Sequence, residues 1–361
     1  MKVLQVNKYF FPDIGGVETV VNQYAQALND YHTVKVLCVH KDFCLNTVEE
    51  NINGIEVIRC SSFGTFMSMP ISFSFFYYFF KYYREFDVFH FHEPFPLASI
   101  LSLFLNEKKK IIVTWHSDII KQKSLKRFVE YFQSFLCKKA SIITTTSPNL
   151  LGFSAVLKKY SNKVCILPLG IDFDFENKEY PLGEYILCLG RLSYYKGIDI
   201  LLEAFLKTET DKELLIIGDG DKSIVELILA TQRSTSKKIK FINRFVNENE
   251  KQSFLQNSLF FVFPSIAASE AFGIIQLEAM SYGKPIINTN LPTGVPYVSL
   301  DNVTGITVEP SNILELTEAI DKLSFDKELV IQMGINARER VATHFSNSQI
   351  MAELLDIYDN L

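Results

Sequence analysis

Glu270 and Glu278 bracket the segment Glu270-Ala-Phe-Gly273-Ile-Ile-Gln-Leu-Glu278, which follows the apolar run LFFVFPS and leads into a helical stretch through Ala279 and Met280. Gly273 lets backbone approach a ligand closely, and the N–H groups of Gly273 and Ile274 fall where a helix N-terminus holds a diphosphate. Glu278 lies one turn further in, within reach of a ribose diol. Two carboxylates beside a phosphate site are unfavourable unless one meets developing positive charge, as on an oxocarbenium-like sugar. Taken alone, the same segment is equally a capped core helix carrying surface acids. Arg191 and Lys196 stand five positions apart in the turn GRLSYYKG, a spacing that folds two cations onto one pyrophosphate. As an isolated pair, two solvated basic residues in a surface loop are the commoner case. The sequence holds no Asp/Glu/His cluster at metal-ligand spacing, so the two cations stand where a divalent ion would otherwise neutralise a departing phosphate. Neither a metal nor a resident cofactor is expected.

These side chains need strands to carry them. Residues 3–6 read as a strand, Gly15 and Gly16 as a loop, and 18–28 as a helix with apolar residues at 20, 21, 24, 25 and 28. The pattern recurs as VKVLCV, DVFHFH, KIIVTWH and SIITTTS, and ILPLGIDFDF closes the series. A second series opens with EYILCLGRL and runs through ELLIIGDG, KIKFINRF, LFFVFPS, KPIINTN and GITVEP. Short apolar strands alternating with helices predict parallel sheets covered on both faces, hence an α/β chain of two doubly wound, Rossmann-like halves facing each other across a cleft. The expected boundaries are 1–170, 171–340, and a C-terminal helix at 341–361 that returns to the first domain. Helix is expected from about residue 336 onward, with a break near 345–346. No period of 20–50 residues indicates a repeat architecture.

Length agrees: 361 residues are too many for one ordinary core, and 48% hydrophobic against 21% charged is the balance of a folded globular chain. The apolar stretch before Asn7 is too short for a signal-peptide core and no 18-residue apolar run follows, which leads to a cytoplasmic expectation. Six cysteines without C-x-x-C spacing indicate reduced core thiols. The net charge of −5 divides unevenly: residues 1–180 carry 20 Lys plus Arg against 17 Asp plus Glu, a balance of +3, leaving 16 against 24, or −8, for the rest. An acidic protein with one basic strip, at 106–139, suits an anionic surface and not a nucleic-acid groove.

Taken in order, GRLSYYKG, VFPS, the Glu-x-Phe-Gly-x-x-x-x-Glu arrangement and GKPIINTN resemble the retaining GT-B glycosyltransferases of group 1. FFPDIGGVE, TWHSD, TSPNL and ILPLGID also fall at family positions, so the resemblance spans nearly the whole chain. It implies a nucleotide-sugar donor bound mainly by the second domain, with Arg191 and Lys196 on the phosphates, Glu278 on the ribose and Glu270 near the transferred sugar. It further implies that Gly16 closes over the phosphates, that His116 lies beside the anomeric centre, and that the base sits near FINRFV, with Arg244 and Val246 as contacts. A lone His at a strand end is otherwise more often a packed structural residue. Retention, by same-face attack in which the departing phosphate takes the acceptor proton, is likewise implied by the family; no spacing establishes it.

Within the family, FFPDIGGVE, HFHEPFP, TWHSDIIKQK and INTNLPTGVP resemble O-antigen and capsule mannosyltransferases. The implied leading donor is GDP-mannose and the implied acceptor a polyprenyl-diphosphate-linked glycan. Other UDP- or GDP-sugars stay open, as do a same-fold epimerase, hydrolase or phosphorylase. A non-catalytic nucleotide-binding module would not need His116, Glu270 and both cations together, and a dehydrogenase would need a G-x-G-x-x-G that does not follow the first strand. The first half would bind the acceptor. There Lys121, Lys123, Lys126 and Arg127, with Phe128, Tyr131, Phe132 and Phe135, form a basic amphipathic helix that rests on anionic headgroups of the inner leaflet or packs its aromatics inward with a solvated basic face. Phe and Tyr supply almost half of residues 63–91, which places a second aromatic surface in the same half.

Overall fold

The computed structural model describes residues 1–13, 15–67, 69–106, 108–119, 123–173 and 182–361, with backbone alone at 123–126. The chain divides into one unit of Met1–Leu169 with Ile350–Leu361, and a second of Gly170–Gln349.

In the first unit the apolar runs form an eight-stranded sheet among the described residues, ordered Val164–Ile166, Ile142–Thr145, Lys110–Trp115, Val88–Glu93, Lys2–Val6, Thr33–Val39, Ile55–Cys60, Val48–Ile52. The edge pair Val48–Ile52 and Ile55–Cys60 is antiparallel; the other pairings are parallel. This hairpin is not among the expected strands. Its turn residues Asn53 and Gly54 have φ of 52° and 87°, the double positive φ of a tight hairpin turn, for which Asn-Gly is the strongest local signal.

The aromatic stretch splits. The helix Ser74–Tyr82 buries Phe75, Phe79 and Tyr82, and Phe79 meets Phe89 at 5.4 Å while Phe75 meets Phe95 edge-on at 5.2 Å between ring centroids. Packing of this kind adds to apolar burial and explains part of the Phe excess. Phe73 and Tyr77, by contrast, are 73% and 65% exposed, and Phe63, Phe66 and Phe80 also face solvent.

The helix Lys123–Lys139 buries Gln133, Leu136 and Cys137, while Arg127, Phe128 and Tyr131 are exposed. Two of its aromatics therefore point outward beside a basic residue. Lys121 lies outside the described residues, as do the side chains of Lys123 and Lys126. No described helix is long and apolar enough to cross a membrane. All six cysteines are free, but Cys44 and Cys165 are only half-buried, so the expectation of core thiols holds for the other four.

The second unit has a six-stranded parallel sheet among the described residues, ordered Ile239–Ile242, Glu213–Ile217, Tyr185–Leu189, Ser258–Val262, Ile286–Thr289, Gly305–Val308. The order reverses between Tyr185–Leu189 and Ser258–Val262. In open α/β sheets a ligand binds beyond the carboxyl ends of the two strands at such a reversal. After this sheet come the helices Ile313–Phe325 and Lys327–His344, the second starting earlier than expected, where Asp326 caps it by accepting from the Leu329 N–H. The chain breaks at Phe345, and the final helix Asn347–Asp359 buries Ile350, Leu354 and Tyr358, a spacing of four that puts all three on one face.

Candidate functional site

The strand Tyr185–Leu189 ends in a loop whose short helical turn Tyr194–Lys196 is closed by Gly197 at φ 65°. A Cβ on Gly197 would collide with the Pro264 carbonyl oxygen, and Ile266 N–H donates to Tyr195 O at 2.8 Å. The loop after the first strand is thereby clamped to the segment after Ser258–Val262. The consequence is a meeting of two predicted residues: Lys196 Nζ lies 2.5 Å from Glu270 Oε2, with side chains only 17% and 12% exposed. Ser265 Oγ donates to the same carboxylate oxygen at 3.3 Å, and Lys196 Nζ sits 4.7 Å from the centre of the Phe263 ring. Arg191 and Lys196 line one narrow crevice with Phe263 and Pro264. Arg191 is exposed and has no ion-pair partner among the described residues.

Beside this pair the helix Ile274–Ser281 begins at Gly273, which has φ 80° and no capping side chain. Its first N–H groups carry the positive end of the helix dipole, a standing site for an anion. Any Cβ at 273 would approach Phe263 to 2.7 Å and Gln276 to 2.9 Å, so both the conformation and the space demand glycine. Glu278 is held elsewhere. Lys251 Nζ lies 2.9 Å from its carboxylate oxygens and 3.0 Å from Glu248. Burial pushes the Glu278 carboxyl above the usual range, and the Lys251 ammonium partly counters that. Lys251 was not singled out from the sequence, since nothing in its spacing points at a residue 27 positions later.

Arg244 makes a forked pair with Glu250, at 2.9 and 2.6 Å, and Val246 is buried at 7%. Between them Phe245 is 79% exposed. An apolar ring held in water has a flat face on which a planar group can stack, which neither flanking residue offers. Among the described residues no group of three or more His, Cys, Asp and Glu is placed to hold a metal ion.

Gly16 and His116 belong to the first unit. Gly16 opens the helix Gly16–Asn29, again without a capping side chain, and a Cβ there would meet no atom within 4 Å. His116 follows the strand Lys110–Trp115, donates its backbone N–H to Glu93 O at 2.9 Å, and is 5% exposed. Its Nε2 lies 3.0 Å from His92 Nδ1. From there His92 Nε2 is 2.7 Å from Gln5 Oε1, Gln5 Nε2 is 3.3 Å from Tyr358 Oη, and Tyr358 Oη is 2.8 Å from His90 Nδ1. His90 Nε2 then reaches Thr114 Oγ1 at 2.7 Å. Burial depresses all three imidazoles, His90 and His116 to about 3 and His92 well below its ordinary value. They are neutral near pH 7. The H-F-H alternation at 90–92 puts two of these rings on one face of a strand, the one part of this network visible in the sequence.

Comparison with known proteins gives the family. Residues 172–340 match the family model of glycosyl transferases group 1, and residues 14–175 that of glycosyltransferase family 4. The D-rhamnosyltransferase WbpZ of Pseudomonas aeruginosa is 31% identical over 96% of this chain and 92% of its own. The O-antigen chain mannosyltransferase C of Escherichia coli is 28% identical over the whole chain and 99% of its own. Among solved structures, the sucrose-phosphate synthase of Thermosynechococcus elongatus superposes with a TM-score of 0.81 at 19% identity, covering 99% of this chain and 98% of that one. The chain belongs to the group 1 glycosyltransferases and has the GT-B fold.

Proposed function

We propose that this enzyme is a retaining hexosyltransferase of bacterial surface-polysaccharide synthesis, with mannose from GDP-mannose as leading donor and a polyprenyl-diphosphate-linked glycan as acceptor. The observation that carries the reading is the Lys196–Glu270 pair beside the uncapped start of Ile274–Ser281. A diphosphate entering there takes the ammonium of Lys196, the guanidinium of Arg191 and the helix N–H groups as partners. Glu270, relieved of Lys196, faces the sugar as positive charge develops at its anomeric carbon. The anomeric C–O bond to phosphate breaks, the acceptor oxygen bonds to the same face, and the acceptor proton passes to the departing phosphate oxygen. Arg191 and Lys196 neutralise that leaving group, so the reaction runs without a divalent metal. Glu278, held by Lys251, receives the ribose, and Phe245 lies where the base stacks. The name of the Escherichia coli relative, an O-antigen chain mannosyltransferase, supports mannose and the O-antigen context, and the D-rhamnosyltransferase supports transfer of a sugar of related class.

In this proposal the enzyme binds reversibly to the inner face of the cell membrane. Arg127, Phe128 and Tyr131 on one helix and Phe73, Tyr77 and Phe80 near another give the first unit exposed basic and aromatic groups, the combination that holds an interfacial protein on anionic lipid.

A thermal-shift panel of nucleotide sugars, followed by transfer in excess EDTA, tests the reading. GDP-mannose is expected to stabilise the protein most and transfer to persist in EDTA. Stabilisation by another sugar nucleotide alone refutes the donor, activity that returns only with magnesium or manganese refutes metal independence, and full turnover without acceptor refutes transfer.

A further inference from the structure

The buried groups behind His116 have a direction. Gln5 sets it, because an amide has one accepting and one donating end. With Oε1 toward His92, the 2.7 Å contact is an ordinary N–H···O bond and the 3.3 Å contact to Tyr358 a long one. The reverse orientation would demand an N–H···N bond at 2.7 Å and an O–H···O bond at 3.3 Å, both outside normal lengths. Once Gln5 accepts from His92 Nε2, that ring has only a lone pair at Nδ1, so it must accept from His116 Nε2. On the other side Gln5 donates to the Tyr358 hydroxyl; the buried hydroxyl proton then has His90 Nδ1 as its acceptor, which assigns the His90 proton to Nε2, facing Thr114 Oγ1. Thr114 and Thr144 continue the chain at 2.7 Å. All links point the same way.

We propose that Tyr358, next to last in the final helix Asn347–Asp359, is a positioning residue for His116. With Gln5 it fixes the tautomer of His116, so that Nε2 carries the proton and Nδ1 is a hydrogen-bond acceptor. The proposal rests on the expectation, drawn from the family resemblance, that His116 lies beside the anomeric centre of the transferred sugar. It adds what His116 does there: an accepting nitrogen fits a sugar hydroxyl and repels a phosphate oxygen, which needs a donor. The neutral state of the three rings, a result of their burial, keeps the chain in one protonation state near pH 7. The final helix is therefore linked to His116 through Tyr358, Gln5 and His92.

Long-range 1H–15N spectra of the histidine-labelled enzyme read each tautomer directly. His90, His92 and His116 are all expected with the proton on Nε2. Tyr358→Phe keeps the ring, which stacks on His32 at 5.7 Å, and removes only the hydroxyl. In this variant His116 is expected to populate both tautomers, with kcat lower by about tenfold, the scale on which the outer partners of a functional His act, and KM for the nucleotide sugar unchanged. A proton on Nδ1 of His116 in the wild type overturns the proposal, and that measurement does not depend on the variant folding. Unchanged His116 tautomers in Tyr358→Phe also overturn it, as does a tautomer shift that leaves kcat intact. The underlying site reading fails separately, by full activity in His116→Ala.

Discussion

Lys196 and Glu270 are predicted to act as one unit, which a double-mutant cycle detects. Each side chain is largely withdrawn from water and finds its opposite charge in the other, so deleting either changes the remaining one as well as the site. In the proposed mechanism Lys196→Ala removes a donor to the leaving diphosphate; in the structure it leaves the Glu270 carboxylate with Ser265 as its side-chain hydrogen-bond partner among the described residues. Glu270→Ala removes the charge proposed to face the sugar and leaves the Lys196 ammonium over the Phe263 ring. Removing a preorganised electrostatic contact of this kind lowers turnover on the order of a hundredfold, about 2.7 kcal/mol. Independent contributions would then give about ten-thousandfold in the double variant, whereas groups acting as a unit lose little more than one single variant does. We expect each single variant near a hundredfold and the double within about tenfold of the singles. Stability should fall by about 1–2 kcal/mol in each single variant, less than for a fully buried pair because both groups keep some solvent. The assay is the initial rate of nucleoside diphosphate release with saturating acceptor, beside thermal melts. Normal turnover in either single variant, or fully additive loss in the double, refutes the reasoning.

Three other outcomes follow from the same structure. His90, His92 and His116 are buried neutral, with folded pKa values far below the unfolded one, so unfolding takes up protons below pH 6.5 and stability falls as pH drops, by about 1.4 kcal/mol per pH unit for each proton. Glu93 acts oppositely: burial raises its carboxyl to about 7, so its share is lost as pH rises from about 4.5 through 7. Denaturant melts from pH 4.5 to 8 should show net acid lability, and Glu93→Gln should steepen it; a flat profile in both proteins contradicts this assignment. Gly273→Ala should weaken donor binding and stability together, because the added Cβ meets Phe263 in a backbone conformation that disfavours it, and unchanged donor affinity by calorimetry would tell against the phosphate site. Sedimentation with anionic vesicles should fall when Phe73, Tyr77 and Phe80 are changed to Ser, or when Lys121, Lys123, Lys126 and Arg127 are changed to Gln. Equal sedimentation of all three proteins at low salt removes the membrane surface.

Much of the scaffold is legible because a strand covered on both faces must be apolar along its length. Runs such as LFFVF and KIIVTW therefore announce themselves. The strand Val48–Ile52 does not: it is an edge strand of sequence VEENI, mostly exposed, and only Asn53-Gly54 marks it. The candidates Arg191, Lys196 and Glu270 are legible because they sit in the loops that follow the strands Tyr185–Leu189 and Ser258–Val262, where local order fixes position. Lys251 and Gln5 are not, since their partners lie 27 and 353 residues away, and chain separation of that size leaves no periodicity to read. The aromatic stretch at 63–91 was ambiguous for a different reason: adjacent residues on the helix Ser74–Tyr82 alternate between core and solvent, so one composition serves both surfaces.

The anomeric configuration of the product tests the central claim most directly. With a nucleotide sugar of defined anomer and an isolated acceptor, the carbon–hydrogen coupling at the new anomeric centre, read by NMR before any equilibration, reports the face of attack. Same-face transfer at the Lys196–Glu270 site predicts that the linkage keeps the donor's configuration and that Glu270→Ala slows its formation without altering it. An inverted linkage would contradict the account, since it requires an acceptor base on the opposite face of the sugar, where the account places none.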